Sequence, residues 1–167
     1  MVVEWLRNVC DIPDATSEEW NQISGSLNTK VIGLLKDQNI NLLGGTMNLG
    51  SYNISLLNDS KIYNIYDKEI IRERHRHRYE VLPEYVDTLN KSGLIVSGTR
   101  DNIVETIELH NSVHKWYIGC QFHPEYESSI FHPHPLIMNW LLSSKSVLNS
   151  TNDIEIIGNG RYPIHSF

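Results

Sequence analysis

Residues 116–122, Trp-Tyr-Ile-Gly-Cys-Gln-Phe, form an aromatic and apolar run with no charge inside it, and His123-Pro124-Glu125 follows directly. Such a run reads as a buried strand. His123 and Glu125 then stand where that strand ends, the place at which open α/β sheets keep their sites. In extended backbone, residues two apart point to the same side. Pro124 fixes φ between them, so imidazole and carboxylate meet without ordering a long loop. A carboxylate that accepts the proton of one ring nitrogen sets the tautomer and supports the imidazolium. The other nitrogen is left to take a proton from a thiol or hydroxyl. The pair supplies two members of a nucleophilic triad and lacks the third. Taken alone, His-Pro-Glu is also an ordinary strand-ending turn, because proline marks turns more often than sites.

A second dense segment is Glu73-Arg74-His75-Arg76-His77-Arg78-Tyr79-Glu80-Val81. As a strand it places Arg74, Arg76 and Arg78 on one face and His75, His77 and Tyr79 on the other. A basic run by itself is usually a solvated face. A third is Gly44-Gly45-Thr46-Met47-Asn48-Leu49-Gly50. These three segments occur in the order glycine run, basic run, histidine–glutamate pair. Before them come Val3 to Asn8 (Val-Glu-aromatic-x-Arg-Asn) and Ser17 to Trp20. The set resembles the C-terminal glutamine amidotransferase domain of CTP synthase over residues 2–142, and the basic segment is the part specific to that family among amidotransferases.

The resemblance implies an α/β fold, an incomplete flavodoxin-like class I glutamine amidotransferase sheet with flanking helices. It implies that His123 and Glu125 match the family's catalytic pair, which with a cysteine hydrolyses L-glutamine to glutamate and ammonia. Glu19 matches the acid that holds the substrate's α-ammonium, and Arg78 the arginine of the same pocket. Both fit the charges of a free amino acid, which needs an acid for its ammonium and donors for its carboxylate. The plainer readings are a helix-capping acid at Glu19 and a surface ion pair at Arg78.

Two departures stand beside the matches. In the family the nucleophilic cysteine lies in a Gly-x-Cys-x-Gly turn just before the helix that reads Val-Val-Glu-Trp-Leu-Arg-Asn here, and this sequence opens inside that helix. Cys10 lacks flanking glycines and neighbours Asp11, which raises rather than lowers a thiol pKa. Cys120 falls inside the apolar run, where a free cysteine is usually a small hydrophobe. The chain alone is therefore expected to hydrolyse glutamine negligibly. The second departure is Asn48, where the family usually has arginine. CTP synthases also carry a synthetase domain that aminates UTP using ATP and Mg²⁺. No Gly-x-x-x-x-Gly-Lys-Ser/Thr loop occurs here, so ATP and Mg²⁺ are implied only for that domain, a partner expected together with oligomer formation.

Composition is that of a globular domain. The 167 residues are 40% hydrophobic and 20% charged, enough for one core. A net charge of −6 argues against nucleic acid as the main partner. No run is long enough to cross a bilayer, and two cysteines without paired spacing point to reduced thiols and the cytoplasm. The periodicities predict helices at 2–10, 59–66, 83–91 and 135–143, and strands at 30–35, 42–49, 53–57, 70–81, 94–97 and 104–109. An acidic loop is predicted through Trp20. Residues 1–142 are read as a partial amidotransferase domain and 143–167 as a polar linker with an unassigned tail.

Three other readings compete. His75 with His77, or His132 with His134, has the i, i+2 spacing for two metal ligands from one strand. Arginines interleave the first pair, prolines flank the second, and no further cysteine or acid completes either set, so no metal is expected. A non-catalytic module that binds glutamine or a synthetase subunit is the main alternative to an enzyme. A γ-glutamyl hydrolase shares the triad logic but not the basic segment.

Overall fold

A computed structural model describes residues 1–34 and 47–150, with side chains through residue 145. The elements run α1 (Val2–Asn8), β1 (Thr16–Ser17), α2 (Glu18–Ser24), β2 (Lys30–Leu34), β3 (Asn48–Leu56), α3 (Lys61–Tyr66), β4 (Ile70–His77), β5 (Tyr79–Val81), a 3₁₀ turn (Pro83–Tyr85), α4 (Val86–Ser92), β6 (Leu94–Arg100), β7 (Ile103–Leu109), β8 (Ile118–Cys120), a 3₁₀ turn (Pro124–Glu127) and α5 (Pro135–Ser150). The class is mixed α/β, as the resemblance implies. Among the described residues the strands form a three-stranded sheet, β1-β2-β5, and a five-stranded sheet, β4-β3-β6-β7-β8. The pair β1–β2 is parallel, and every pairing in the larger sheet is antiparallel.

The basic segment is not one strand. Along β4 the residues alternate strictly, with Arg72, Arg74 and Arg76 exposed and Ile71, Glu73 and His75 buried, as a period of two requires. At Arg78 the chain leaves the larger sheet, and Tyr79 to Val81 pair with Leu34 to Ile32 in the smaller one. Arg78 therefore sits half-buried at the junction instead of continuing the exposed arginine row.

Local signals explain the helices. In α1, Val2 and Leu6 are one turn apart and both buried, and Trp5 Nε1–H donates to Ser92 Oγ at 2.8 Å, tying α1 to α4. Helix α2 replaces the predicted acidic loop. Ser17 caps it by accepting from Trp20 N at 3.1 Å, Glu18 and Glu19 occupy the first turn, and Gly25 stops it at φ 70°. Those are helix start and stop signals that the acidic character of the segment obscures. Helix α3 is capped twice, by Ser60 Oγ on Tyr63 N at 3.1 Å and by the buried Glu108 carboxylate on Lys61 N and Ile62 N at 2.6 and 3.1 Å. Helix α5 continues to Ser150, past the predicted end at 143. Polar residues such as Ser143 and Ser144 do not end a helix that meets no glycine or proline, and Ser144 Oγ–H returns to Trp140 O at 3.0 Å.

The core has two clusters. One gathers Val2, Leu6, Ala15, Val31, Val81, Leu89, Leu94 and Ile107 among others; the second gathers Ile54, Leu56, Ile62, Ile71, Phe122 and Leu136. Each Val, Leu, Ile or Phe side chain among them contributes roughly 1.5–3 kcal/mol by leaving water. Gly98 lies where β6 slips register against β7, and a Cβ there meets Thr106 Oγ1 at 2.5 Å and Leu56 Cδ2 at 3.0 Å. Gly98→Ala is expected to destabilise the chain by about 1–3 kcal/mol through overpacking. Urea unfolding measures it, and an unchanged midpoint sinks the account.

The predicted buried strand over 116–122 is largely corrected. Only Ile118–Cys120 is strand, and among the described residues β8 stands at the edge of the five-stranded sheet, paired with β7. Trp116, Tyr117 and Ile118 are half-buried and Cys120 is exposed; an edge position leaves one side uncovered. Beyond Cys120 the chain turns inward, and Phe122 is buried to 3%. The glycine run at 44–46 and the tail at 151–167 lie outside the described residues.

Candidate active site

The His123–Glu125 pair forms as the spacing predicts. Gln121 N donates to Glu105 O at 2.8 Å and His123 N to Arg74 O at 2.9 Å, so main-chain bonds to β7 and β4 hold the segment at both ends. Buried Phe122 anchors it between them. Pro124 opens the 3₁₀ turn, which leaves His123 extended (φ −109°, ψ 91°) and turns Glu125 back toward the ring. His123 Nδ1–H donates to Glu125 Oε1 at 2.7 Å. This bond holds the Glu125 carboxyl below the usual carboxylate range. Among the described residues Nε2 of His123 takes no hydrogen bond, so a proton acceptor is left unengaged beside a carboxylate that stabilises the ring once it is charged. Tyr126 stacks on the imidazole with centroids 4.8 Å apart and planes at 16°, a contact the sequence reading did not single out.

Arg78 is brought near this turn by the carbonyl of Tyr79, which accepts from His77 Nδ1–H at 3.1 Å and Gln121 Nε2–H at 3.0 Å. The junction between the two sheets is thereby bonded to the residue two before His123. Arg78 Nε is buried and has no hydrogen-bond partner, an uncommon state for a charged donor. Glu19 is exposed in the first turn of α2. Its neighbour Glu18 takes the structural role instead, accepting from Leu34 N at 3.0 Å and facing Lys30 Nζ at 3.6 Å. The Tyr79 hydroxyl is pushed up by burial, then by the fields of Glu19 and Glu18, and down by Arg78. Glu19 and Arg78 thus act on one side chain from different elements.

The family model for class-I glutamine amidotransferase matches residues 21–141. The chain belongs to that family. It is 47% identical over 144 residues to a CTP synthase of Sulfolobus acidocaldarius and 43% identical over 144 residues to one of Hydrogenobaculum sp., covering 84% of this chain each time. It spans 26% of the length of those relatives. Among solved structures it is similar to the Trypanosoma brucei CTPS glutaminase domain with bound acivicin, with a TM-score of 0.75 and 33% identity, over 87% of this chain and 56% of that one.

Behind the turn of this amidotransferase chain lie two buried polar networks. In the first, Glu105 Oε2 accepts from His75 Nε2–H at 2.7 Å and Oε1 from Arg100 Nε–H at 2.9 Å, with Arg100 stacked 4.3 Å over the Tyr52 ring. His75 Nδ1–H also donates to Glu73 O at 3.0 Å, so the ring is satisfied on both sides only when it carries both protons. Burial by itself raises the Glu105 carboxyl, but His75 and Arg100 together bring it below its ordinary value. In the second, Glu73 accepts from Tyr66 OH at 2.7 Å and from His134 Nε2–H at 3.1 Å. Burial and the Glu73 charge push the Tyr66 hydroxyl far up. Phe122 makes ring contacts to both His75 and His134, which places it between the networks.

The metal alternative gains a third candidate ligand here, since His75, His77 and Glu105 each bring a ligand atom within 4.8 Å of the others. Arg100 already supplies the cation that Glu105 faces, and His77 is engaged by Asn48 Nδ2 at 2.9 Å and by Tyr79 O, so the arrangement reads as an ion-pair network. His132 is exposed and His134 is committed to Glu73, so that pair does not converge on one ion.

His77 has its pKa lowered from 6.5, chiefly by burial. The folded ring stays neutral where the unfolded one takes up a proton, so its contribution to stability is present above about pH 6.5 and is lost as pH falls below that value. The urea midpoint is expected to fall on acidification from pH 7 to 5.5, and more shallowly in His77→Gln. Parallel pH dependences in the two chains rule this out.

Neither cysteine is placed as a nucleophile. Cys10 packs against the first cluster, whereas Phe122, which anchors the His123 turn, belongs to the second. Cys120 is exposed rather than buried as predicted, but its thiol donates to Phe122 O at 3.5 Å. Desolvation and the charges of Glu73, Glu125 and Glu105 push that thiol up to about 12, so it is protonated at neutral pH.

Proposed function

We propose that this chain is the glutaminase part of a CTP synthase, releasing ammonia from L-glutamine for the ATP-dependent amination of UTP. The observation that carries the reading is the His123 Nδ1–Glu125 Oε1 bond at 2.7 Å with Nε2 left open. Glu125 orients the ring and stabilises its cation. Cys10 and Cys120 do not provide the nucleophile, so the thiol is supplied by a further part of the enzyme; Nε2 takes its proton, and the thiolate adds to the carboxamide carbon. The proton then passes to the departing nitrogen as the C–N bond breaks and ammonia leaves. Water deprotonated by the same nitrogen hydrolyses the thioester to glutamate. The α-carboxylate of glutamine satisfies the orphaned Arg78 Nε, and Glu19 faces the α-ammonium. The amination of UTP belongs to a synthetase domain with its own ATP and Mg²⁺. The sequence of this chain contains no Gly-x-x-x-x-Gly-Lys-Ser/Thr motif.

The thiol comes from neither Cys10 nor Cys120, and this is the observation that favours a second reading, a glutamine-binding module without turnover. Titration of the purified chain with L-glutamine, followed by NMR of the His123 ring and by an ammonia assay, separates the two. Saturable binding of L-glutamine but not D-glutamine supports the pocket, and no binding overturns it. Ammonia release at background supports the placement of the cysteines. Release abolished by His123→Ala shows a nucleophile elsewhere in the chain.

A further inference from the structure

We propose that Tyr126 is a positioning residue for His123, holding the imidazole in plane and stabilising its protonated form by stacking on one face; this rests on the glutaminase reading. A hydrogen bond from Nδ1 to Glu125 fixes the direction of one ring edge but leaves the ring free to rock about that bond. The Tyr126 ring, parallel within 16° at 4.8 Å, removes that freedom and closes one face to solvent. With Nδ1 bonded to Glu125, Nε2 is the nitrogen left for proton transfer.

The contact is built by the turn itself. Tyr126 N donates to His123 O at 3.1 Å within the 3₁₀ turn, which sets the two side chains three residues apart on one side of a near-three-residue repeat. Tyr126 remains 47% exposed and joins neither core cluster, so packing elsewhere does not account for its orientation. A cation over an aromatic face is attracted by the ring quadrupole, and at a partly exposed site the effect amounts to about half a pH unit in the titration of the imidazole.

The charged groups around His123 come from several elements. Glu125 is on the same turn, and His134, in the loop before α5, acts on the Glu125 carboxyl. From β4 the turn receives the Arg74 carbonyl, with Glu73 buried behind it, while Cys120 at the end of β8 is protonated at neutral pH. Tyr126 is the uncharged member of this set, so its effect is separable from theirs by substitutions that leave every charge in place.

The test is an NMR titration of the His123 Cε1–H signal in the whole chain and in Tyr126→Leu, Tyr126→Phe and Glu125→Gln. In the wild type and in Tyr126→Phe the signal is expected to lie upfield from the ring current and to titrate at the same pH. In Tyr126→Leu the upfield displacement is expected to vanish and the midpoint to fall by about half a unit. An unchanged signal and midpoint in Tyr126→Leu overturns the proposal, as does Tyr126→Phe behaving like Tyr126→Leu, which assigns the effect to the hydroxyl. Glu125→Gln reports separately on the His123–Glu125 pair: a midpoint unmoved there counts against the glutaminase reading, whatever the Tyr126 variants show.

Discussion

Glu105→Ala is expected to destabilise the chain by about 3–5 kcal/mol, the usual consequence of removing one partner from a buried ion pair. His75 and Glu105 side chains are fully buried, and Arg100 is 14% exposed. Removing the carboxylate leaves the His75 N–H with no acceptor in a place water does not reach, and the largely buried Arg100 guanidinium without its ion-pair partner. It also removes the neighbour that orders His75 beneath Phe122, so the His123 turn is expected to loosen with it. For a domain whose total stability is typically about 5–15 kcal/mol, a loss of this size brings the unfolded state close to being populated. Urea unfolding of Glu105→Ala measures it. Glu105→Gln keeps the shape and one acceptor, and is expected to lose less. Equal stability of Glu105→Ala and the wild type refutes the buried network as described.

Arg78→Ala is expected to weaken L-glutamine binding at least thirtyfold, from the roughly 2 kcal/mol lower end of what truncating one member of a hydrogen-bonded charge pair costs. Arg78 differs from its neighbours in one respect. Arg74 and Arg76 point outward along β4, whereas Arg78 lies at the sheet junction with a buried and unpartnered Nε. Arg76→Ala is therefore expected to leave binding within about twofold, because a solvated cation at a distance contributes little. Arg78→Lys retains charge but not the planar fork, and is expected to fall between the two. Calorimetry with L-glutamine checks the series. If Arg78→Ala and Arg76→Ala behave alike, the basic segment acts by general charge and the pocket assignment fails.

Much of this site is legible in the sequence. The alternation of Glu73 to His77 predicts which side chains face in, and β4 follows it residue by residue. His123 and Glu125 meet because a proline between two extended positions leaves few other arrangements. The stacking of Tyr126 was not found, although a residue three positions after a turn-opening histidine is a signal that 3₁₀ geometry makes readable. Helix α2 was missed because its acidic composition suggests a loop, even with Ser17 and Gly25 in place as cap and stop. The apolar run 116–122 gave too long a strand, since hydrophobicity alone does not distinguish a central strand from an edge strand that turns into the core after three residues.

Local sequence determined the pieces whose geometry depends on neighbouring residues: the base with its orienting acid, the inward and outward faces of the basic strand, the Ser17 cap and Gly25 stop of α2, and the Ser60 cap of α3. The tertiary structure alone decided which distant groups complete them. Glu105 meets His75 across thirty positions, His134 meets Glu73 across sixty-one, and Arg78 becomes half-buried because the chain changes sheets there. Short-range periodicity fixes which way a side chain points, but what it meets depends on sheet order and register, which are set by the burial of the whole core.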